Sequence, residues 1–323
     1  LGTEVRRLLV NDALNQLNEY TFWNCLQDWF GCTFVGGDYE KLANRAAAIS
    51  DGATLIIRNA TWFPPIQTQV PTISLLQDII TDGPMREMQE AVLRASDVVV
   101  FNSEFTKSKY NLMWKEALTE AGKIRVIPLP VDFSMFQPEN PMGLQQALSL
   151  PDGCVLWVGA CQGAAGQVKG WDTFIRVVRT NPDIPFVCVT KDAPPDVVPP
   201  NLRVYSRLPH AELVKVMGAC RVGLCTSRTE SQHLAGIEMG ACGLSLVVPE
   251  VGCYWDRRNE IFGAEFPGVI LNKPDPEHYT AVIRARLANP LDTSYVRSYW
   301  KRSFDKPVIK AQWEKLVEEV EAK

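Results

Sequence analysis

The sequence predicts an α/β protein built of two Rossmann-like, doubly wound domains that face each other across a cleft. Short apolar runs alternate along the chain with segments of helical period, which is how stacked βα units of a parallel sheet read. A polar, proline-containing stretch from Gln137 to Pro151 separates two successive series of these units. The length, 323 residues, is about twice that of an ordinary domain and fits the same division. We therefore expect domains at residues 1–140 and 141–300, followed at 301–323 by a terminal helix packing back on the first domain.

In the first series the strands are expected at Arg7 to Val10, Cys32 to Val35, Thr54 to Ile57, Thr72 to Leu76, Val98 to Phe101 and Lys123 to Ile127. Met85, Met88 and Val92 mark the apolar face of one intervening helix, and Thr106 to Ala117 form another. In the second series the strands are Val155 to Val158, Phe186 to Thr190, Arg203 to Tyr205, Val222 to Cys225 and Ser245 to Val248. The helical spacing i, i+3, i+4, i+7 recurs at Trp171, Phe174, Ile175 and Val178, at Leu213, Val216, Met217 and Cys220, and at Trp313, Leu316, Val317 and Val320. Prolines 194, 195, 199 and 200 mark an extended surface loop.

Composition narrows the class of ligand. With 46% apolar and 22% charged residues the chain is an ordinary globular one. The net charge is −4; residues 1–140 carry 12 Lys+Arg against 17 Asp+Glu, and the remainder 21 against 20, so the halves stand at −5 and +1. Phosphate backbones are bound with Lys and Arg, which makes nucleic acid an unlikely partner. No run reaches the about 18 apolar residues of a membrane span, although peripheral contact with a membrane is left open. Leu1 to Arg7 lack the charged-then-apolar order of a signal peptide, so a cytoplasmic location is expected. Nine cysteines without any Cys-x-x-Cys, mostly within apolar runs, read as buried free thiols; with three histidines the chain is short of metal ligands, and none is expected to bind metal.

Two segments carry chemistry. In TSRTESQHLAGIEMGACG, Thr226 to Gly243, a strand gives way to a polar loop, a helix starting near Ser231 to Leu234, and a glycine stop at Gly243. Such a start offers unpaired N–H groups and a positive dipole end to an anion from Ser231, Gln232, His233 and Leu234. Glu230 precedes it and Glu238 lies in the second turn. A carboxylate suits a vicinal diol, because its two oxygens accept from adjacent hydroxyls. The pair thus points to a diphosphate between two sugars, or else simply stabilises the dipole. In VLWVGACQGAAGQVKGWDTFI, residues 155 to 175, a strand ends at Gly159 and a glycine-containing loop leads to Lys169. Those amides and that cation suit phosphate, unless the loop is merely a surface one. The segment is neither a Walker loop nor a G-x-G-x-x-G fingerprint.

The order VVVFNSEFTKSKY, KIRVIPLPVDFSMFQP, VLWVG with KGWDTFI, RLPHAELVKVMGACRVGLCTSRTE and IEMGACGLSLVVPEVG, over roughly residues 95 to 255, resembles the nucleotide-sugar-dependent retaining glycosyltransferases of family 4, which have the GT-B fold. Glu230 and Glu238 match the family's two glutamates with seven residues between them. The resemblance implies that Glu230 contacts the donor sugar, Glu238 the ribose, Lys169 the diphosphate, and the loop of Ser206, Arg207 and Leu208 the nucleobase. It also implies acceptor binding by residues 1–140 and donor binding by 141–300. This sequence departs from the family at Ala160, after Gly159, where an arginine usually joins the lysine on the diphosphate. His233, through a charged imidazole, or loop amides would have to compensate; alternatively His233 is satisfied by backbone. His210 and His278 read as structural. Gln77-Asp78 occupies the place of the family's His-Asp pair, with Asp78 on the substrate side. Asn11 and Asp12, at the end of the first strand, face the cleft. Trp23, Trp29 and Trp62 either stack on a sugar or belong to the core.

The resulting expectation is transfer of a sugar from a UDP- or GDP-linked donor to a glycan, lipid-linked or small-molecule acceptor. Transfer would proceed with retention, without metal or another cofactor, and with Glu230 and Lys169 as the catalytic pair. The alternatives are a non-catalytic nucleotide-sugar or glycan binding protein of the same fold, suggested by Ala160 and Gln77, and a nucleotide-sugar epimerase.

Overall fold

The computed structural model describes residues 6–11, 22–37, 39–61, 63–79, 85–120, 123–138, 140–195, 197–259 and 266–322. They form two compact units: Leu1–Pro130 with Ile309–Lys323, and Val131–Val308.

The first unit holds six parallel strands, β1 (Arg7–Val10), β2 (Thr33–Val35), β3 (Leu55–Asn59), β4 (Thr72–Leu76), β5 (Val98–Phe101) and β6 (Lys123–Val126), in the order β2-β1-β3-β4-β5-β6. Register follows from pairs such as Leu9↔Ile57, Ile57↔Ile73 and Leu75↔Val100. Strands β3, β4 and β5 are buried throughout, as expected of a parallel sheet covered on both faces. The covering helices are α1 (Phe22–Phe30), α2 (Tyr39–Ile49), α3 (Met85–Ala95), α4 (Glu104–Met113) and α5 (Lys115–Glu120). The apolar stretch expected as one helix from Thr106 to Ala117 is thus two, parted at Trp114, whose backbone (φ −139°, ψ 47°) is not helical.

In the second unit the helices are α6 (Pro141–Leu148), α7 (Gly163–Lys169), α8 (Trp171–Thr180), α9 (His210–Ala219), α10 (Leu234–Ala241), α11 (Cys253–Asp256), α12 (Pro276–Ala288) and α13 (Thr293–Phe304); α14 (Lys306–Glu321) then carries the chain back into the first unit. The second sheet consists of β7 (Val155–Val158), β8 (Phe186–Thr190), β9 (Leu202–Ser206), β10 (Val222–Leu224), β11 (Ser245–Pro249) and β12 (Gly268–Leu271), all parallel, in the order β12-β11-β10-β7-β8-β9. This is the doubly wound order of a dinucleotide-type domain, reversing between β7 and β10. Strand β12 is an addition to the expected five; its four residues, GVIL, give too short a periodic signal beside Pro267.

Two differences from expectation have clear causes. The units part at Pro130/Val131 rather than 140/141, because Val131, Phe133 and Phe136 are buried in the second unit's core with Leu213, Val216 and Met217 of α9. The stretch Gln137 to Pro151, expected as a linker, contains α6: Asn140 caps it by accepting from Met142 N at 3.2 Å, Pro141 takes the first turn, and Gln145 Nε2 donates to Ala219 O at 3.1 Å. All nine cysteines are buried and free.

Alternation along the strands sends Leu9, Ile57, Ile73 and Leu75 to one face of the first sheet. There they meet Trp23, Leu26 and Phe30 of α1 and Ile309, Trp313, Leu316, Val317 and Val320 of α14. Trp23 is therefore core, while Trp62 lies outside the described residues. In the second unit, Gly240 of α10 lets α13 approach, since a Cβ there would come within 2.3 Å of Trp300. No helix of the described residues is long and apolar enough to cross a membrane. Trp313 is fully buried, so Trp313→Ala is expected to cost about 3–5 kcal/mol of unfolding free energy, readable in urea melts.

Candidate functional site

The strand order of the second unit reverses between β7 and β10, and in such sheets the carboxyl ends beside the reversal open a crevice. The segments leaving those two ends hold Lys169 and Glu230. The glycine-containing segment after Gly159 is not the loop expected: Gly163 to Lys169 form α7, which places Lys169 at its last residue. Its glycines serve packing more than amide presentation. A Cβ on Gly166 would lie 2.6 Å from Cys161 C, and one on Gly159 would lie 2.9 Å from the Trp157 ring.

Lys169 Nζ donates to Glu230 Oε1 at 2.6 Å, and Ser227 Oγ donates to the same oxygen at 2.7 Å. The lysine side chain is 30% exposed and that of Glu230 8%. Burial opposes the charge on Glu230. The neighbouring His233 and Lys169, with the hydrogen bonds from Lys169 and Ser227, outweigh it and hold the carboxyl below its usual range. Thr226 anchors the lysine's end of α7. Its hydroxyl accepts from Trp157 Nε1 at 3.0 Å, and its hydrogen lies between Lys169 O at 3.0 Å and Gly170 O at 3.1 Å. Gly170, at φ +68°, cannot be replaced without strain, because a Cβ would sit 2.0 Å from Thr226 O.

Helix α10 starts at Leu234, the last of the positions expected to open it, and Gly243 follows its end at φ +89°. His233 precedes the helix in the left-handed region (φ 71°). Its Nδ1 lies 2.5 Å from Tyr254 Oη. Burial lowers its pKa to about 4, with Glu230 opposing and Lys169 reinforcing that shift. The charged imidazole expected to replace the missing arginine is thus corrected: at neutral pH His233 carries no charge. Ser231 is half-buried, Gln232 is buried and accepts from Cys253 N at 3.3 Å, and Leu234 is exposed. Glu238, in the second turn of α10, has a carboxyl pushed up to about 7 by burial.

The remaining sequence-predicted residues lie elsewhere. Ser206 ends β9; Arg207 follows at φ 54°, tied to the end of β8 through Arg207 N→Thr190 O at 2.8 Å and Nε→Lys191 O at 2.9 Å, with Leu208 half-buried beside it. In the first unit Asn11 directly follows β1, fully buried, and accepts from Asn59 Nδ2 at 3.0 Å, while its own Nδ2 has no partner among the described residues. Asp78 is exposed after β4, its carbonyl accepting from Tyr110 at 3.1 Å. Asp12 lies outside the described residues.

Ala160 is half-buried. The guanidinium of Arg228, two residues before Glu230, bonds Asp172 at 2.8 Å and Gln167 O at 3.0 Å. It lines a cavity of about 770 Å³ against α7 that contains none of Lys169, Glu230, His233 or Glu238. Ligand atoms of Cys225, Glu230 and His233 fall within 4.8 Å of one another, a set with metal-binding chemistry. Lys169 and Ser227 already occupy a Glu230 oxygen, and burial pushes the Cys225 thiol up to about 12, so the set fits a cation poorly. Sequence reasoning missed Thr226, Ser227 and Tyr254. Ser227, three residues before Glu230, offered a local signal; Tyr254, on another helix, offered none.

The strand orders define the class of fold: the two six-stranded sheets with their helices match two Rossmann-like domains of the GT-B fold. No protein-family model matches the chain. Among curated proteins it is similar to a D-inositol 3-phosphate glycosyltransferase of Acidothermus cellulolyticus, 26% identical over 266 residues, covering 72% of this chain and 56% of that protein. The chain spans a little over half the length of that relative. Among solved structures it superposes on sucrose-phosphate synthase from Thermosynechococcus elongatus (TM-score 0.72, 19% identity, 88% of this chain and 78% of that one). It also superposes on Anabaena HepE in complex with UDP and glucose (TM-score 0.74, 12% identity, 98% and 100%).

Two outcomes follow from the geometry. In Lys169→Ala the buried Glu230 loses one of the groups that hold its pKa down, and that pKa is expected to rise, readable by carboxyl ¹³C NMR titration. Glu238 ionises near 4.5 in the unfolded chain and near 7 in the folded one, so unfolding releases its proton between those values and stability falls as pH rises through them. Glu238→Gln is therefore expected to stabilise the protein at pH 8 by on the order of 2 kcal/mol and to change little at pH 4, measured by urea denaturation at both.

Proposed function

We propose that this protein is a glycosyltransferase that takes a sugar from a UDP- or GDP-linked donor bound by the second unit and transfers it to an acceptor bound mainly by residues 1–140. One observation carries the reading: Lys169 and Glu230 meet at 2.6 Å where the second sheet reverses, beside the start of α10. An ammonium has three N–H donors and Glu230 uses one, which leaves two for a diphosphate. Gly236 N is taken by His233 O at 3.1 Å, while the amides of Leu234 and Ala235 at the very start of α10 face the same anion with the helix dipole behind them. Glu230, fixed by Lys169 and Ser227, orients the donor sugar. Glu238 accepts from the ribose hydroxyls, and Ser206 to Leu208 border the base. The complex of HepE with UDP and glucose is consistent with this donor class.

In the reaction the bond from the anomeric carbon to the phosphate oxygen breaks and the acceptor oxygen bonds that carbon from the same face. The leaving phosphate takes the acceptor's proton, so configuration is retained and neither a metal nor a protein base is required. Lys169 and the α10 amides stabilise charge as it develops on the phosphate. Nine free, buried cysteines suit a reducing compartment such as the cytoplasm.

A second reading, a nucleotide-sugar binding protein without turnover, is favoured by Ala160, whose methyl side chain adds no charge to that of Lys169. A thermal-shift panel of UDP, GDP and ADP with their sugars tests the donor reading, since a ligand at 100 times its Kd adds about 2.7 kcal/mol. Saturable stabilisation by one of them, lost in Lys169→Ala and Glu238→Ala, is expected; stabilisation by none rejects it. Sugar release or transfer that disappears in Lys169→Ala separates the enzyme from the binding protein.

A further inference from the structure

Tyr254 and His233 form a buried pair that the proposed reaction leaves unused. Tyr254 is fully buried, with its ring edge-on to Trp300 and Phe266 at 6.2 and 6.3 Å. Helix α11, which carries it, is tied to the segment before His233 by Cys253 N→Gln232 O. Room for the pair over the first turn of α10 depends on Gly236, because a Cβ there would lie 1.8 Å from Tyr254 Oη and 2.5 Å from His233 Nδ1. His233 itself holds a left-handed backbone, a conformation that non-glycine residues adopt rarely and that concentrates at functional positions.

The direction of the 2.5 Å hydrogen bond follows from counting hydrogens. A tyrosine hydroxyl has one. If Nδ1 donated, that hydrogen would be buried without an acceptor among the described residues, where Nδ1 is the hydroxyl's partner. Burial also raises the ionisation of Tyr254 well above its ordinary range, so the hydroxyl keeps its hydrogen. Tyr254 therefore donates, Nδ1 accepts, and the neutral ring carries its proton on Nε2.

We infer that Tyr254 is a positioning residue that fixes His233 as its Nε2–H tautomer, so that the imidazole presents a neutral N–H donor to the donor diphosphate at the start of α10. This rests on the donor reading above and deepens it. With Ala160 in place of a second cation, the diphosphate meets one ammonium and a set of N–H groups. An uncharged imidazole adds to that set without placing a second positive charge beside Lys169, which a protonated ring would do.

The test uses the whole chain, UDP as the probe, and histidine labelled with ¹⁵N. In the native protein the ring nitrogens of His233 should show the Nε2–H tautomer, and the Nε2 resonance should move as UDP saturates. Tyr254→Phe keeps the ring packing and removes the hydroxyl. It is expected to abolish the tautomer preference and to raise the Kd for UDP about tenfold, the effect of losing one well-placed hydrogen bond. An Nδ1–H tautomer in the native protein overturns the inference even if the variant fails to fold. So does a native protein that binds UDP with Nε2 unmoved, or a variant with native tautomer and affinity; each of these leaves the donor reading standing. A native protein that binds neither UDP nor GDP overturns that reading and this inference together.

Discussion

A lysine ammonium and a mostly buried carboxylate held 2.6 Å apart organise the second unit. Taking Glu230 out of water is costly, and offsetting that cost requires Lys169 and Ser227 to reach one of its oxygens with His233 close by. That requirement fixes the end of α7, and through it the turn at Gly170, the hydroxyl of Thr226 and the indole of Trp157. It also fixes the loop out of β10, because Ser227 must lie three residues before the glutamate. At the reversal of strand order the chain leaves β7 toward β8 and β10 toward β11, in opposite directions, and the gap between these departures is the crevice that the two segments line.

The residues around the pair divide into those that keep a charge and those that are denied one. Glu230 stays ionised because it is partnered. Glu238, a short distance along α10, is half-buried, and desolvation pushes its carboxyl up to about 7. His233 is buried against a hydroxyl and stays neutral. One helix start therefore combines a fixed anion, a titratable acid and a neutral donor, and their environments, more than their residue types, set these roles.

Much of the fold was legible because parallel strands buried on both faces leave continuous apolar runs, as in TISLL and FVCVT. What escaped was short or irregular: β12 with four residues, and α6, whose helix rests on the Asn140 cap and Pro141 rather than on periodicity. In the site, Lys169 and the two glutamates could be read because motif order and spacing lie along the chain. Glycines 163 and 166 suggested a loop, whereas the alanines and Gln167 among them complete a helix that packs against Cys161. Tyr254 could not be read at all, since only tertiary structure brings position 254 to position 233.

The return of α14 to the first sheet makes that unit discontinuous in the chain, while the second unit is one uninterrupted segment. During synthesis the second unit has all its strands and helices available before the residues that seal the first sheet emerge. Until then, the face formed by Leu9, Ile57, Ile73 and Leu75 lacks Trp313 and its neighbours. The unit made first is thus the one finished last, and its apolar face is the surface that a chaperone would meet on a nascent chain.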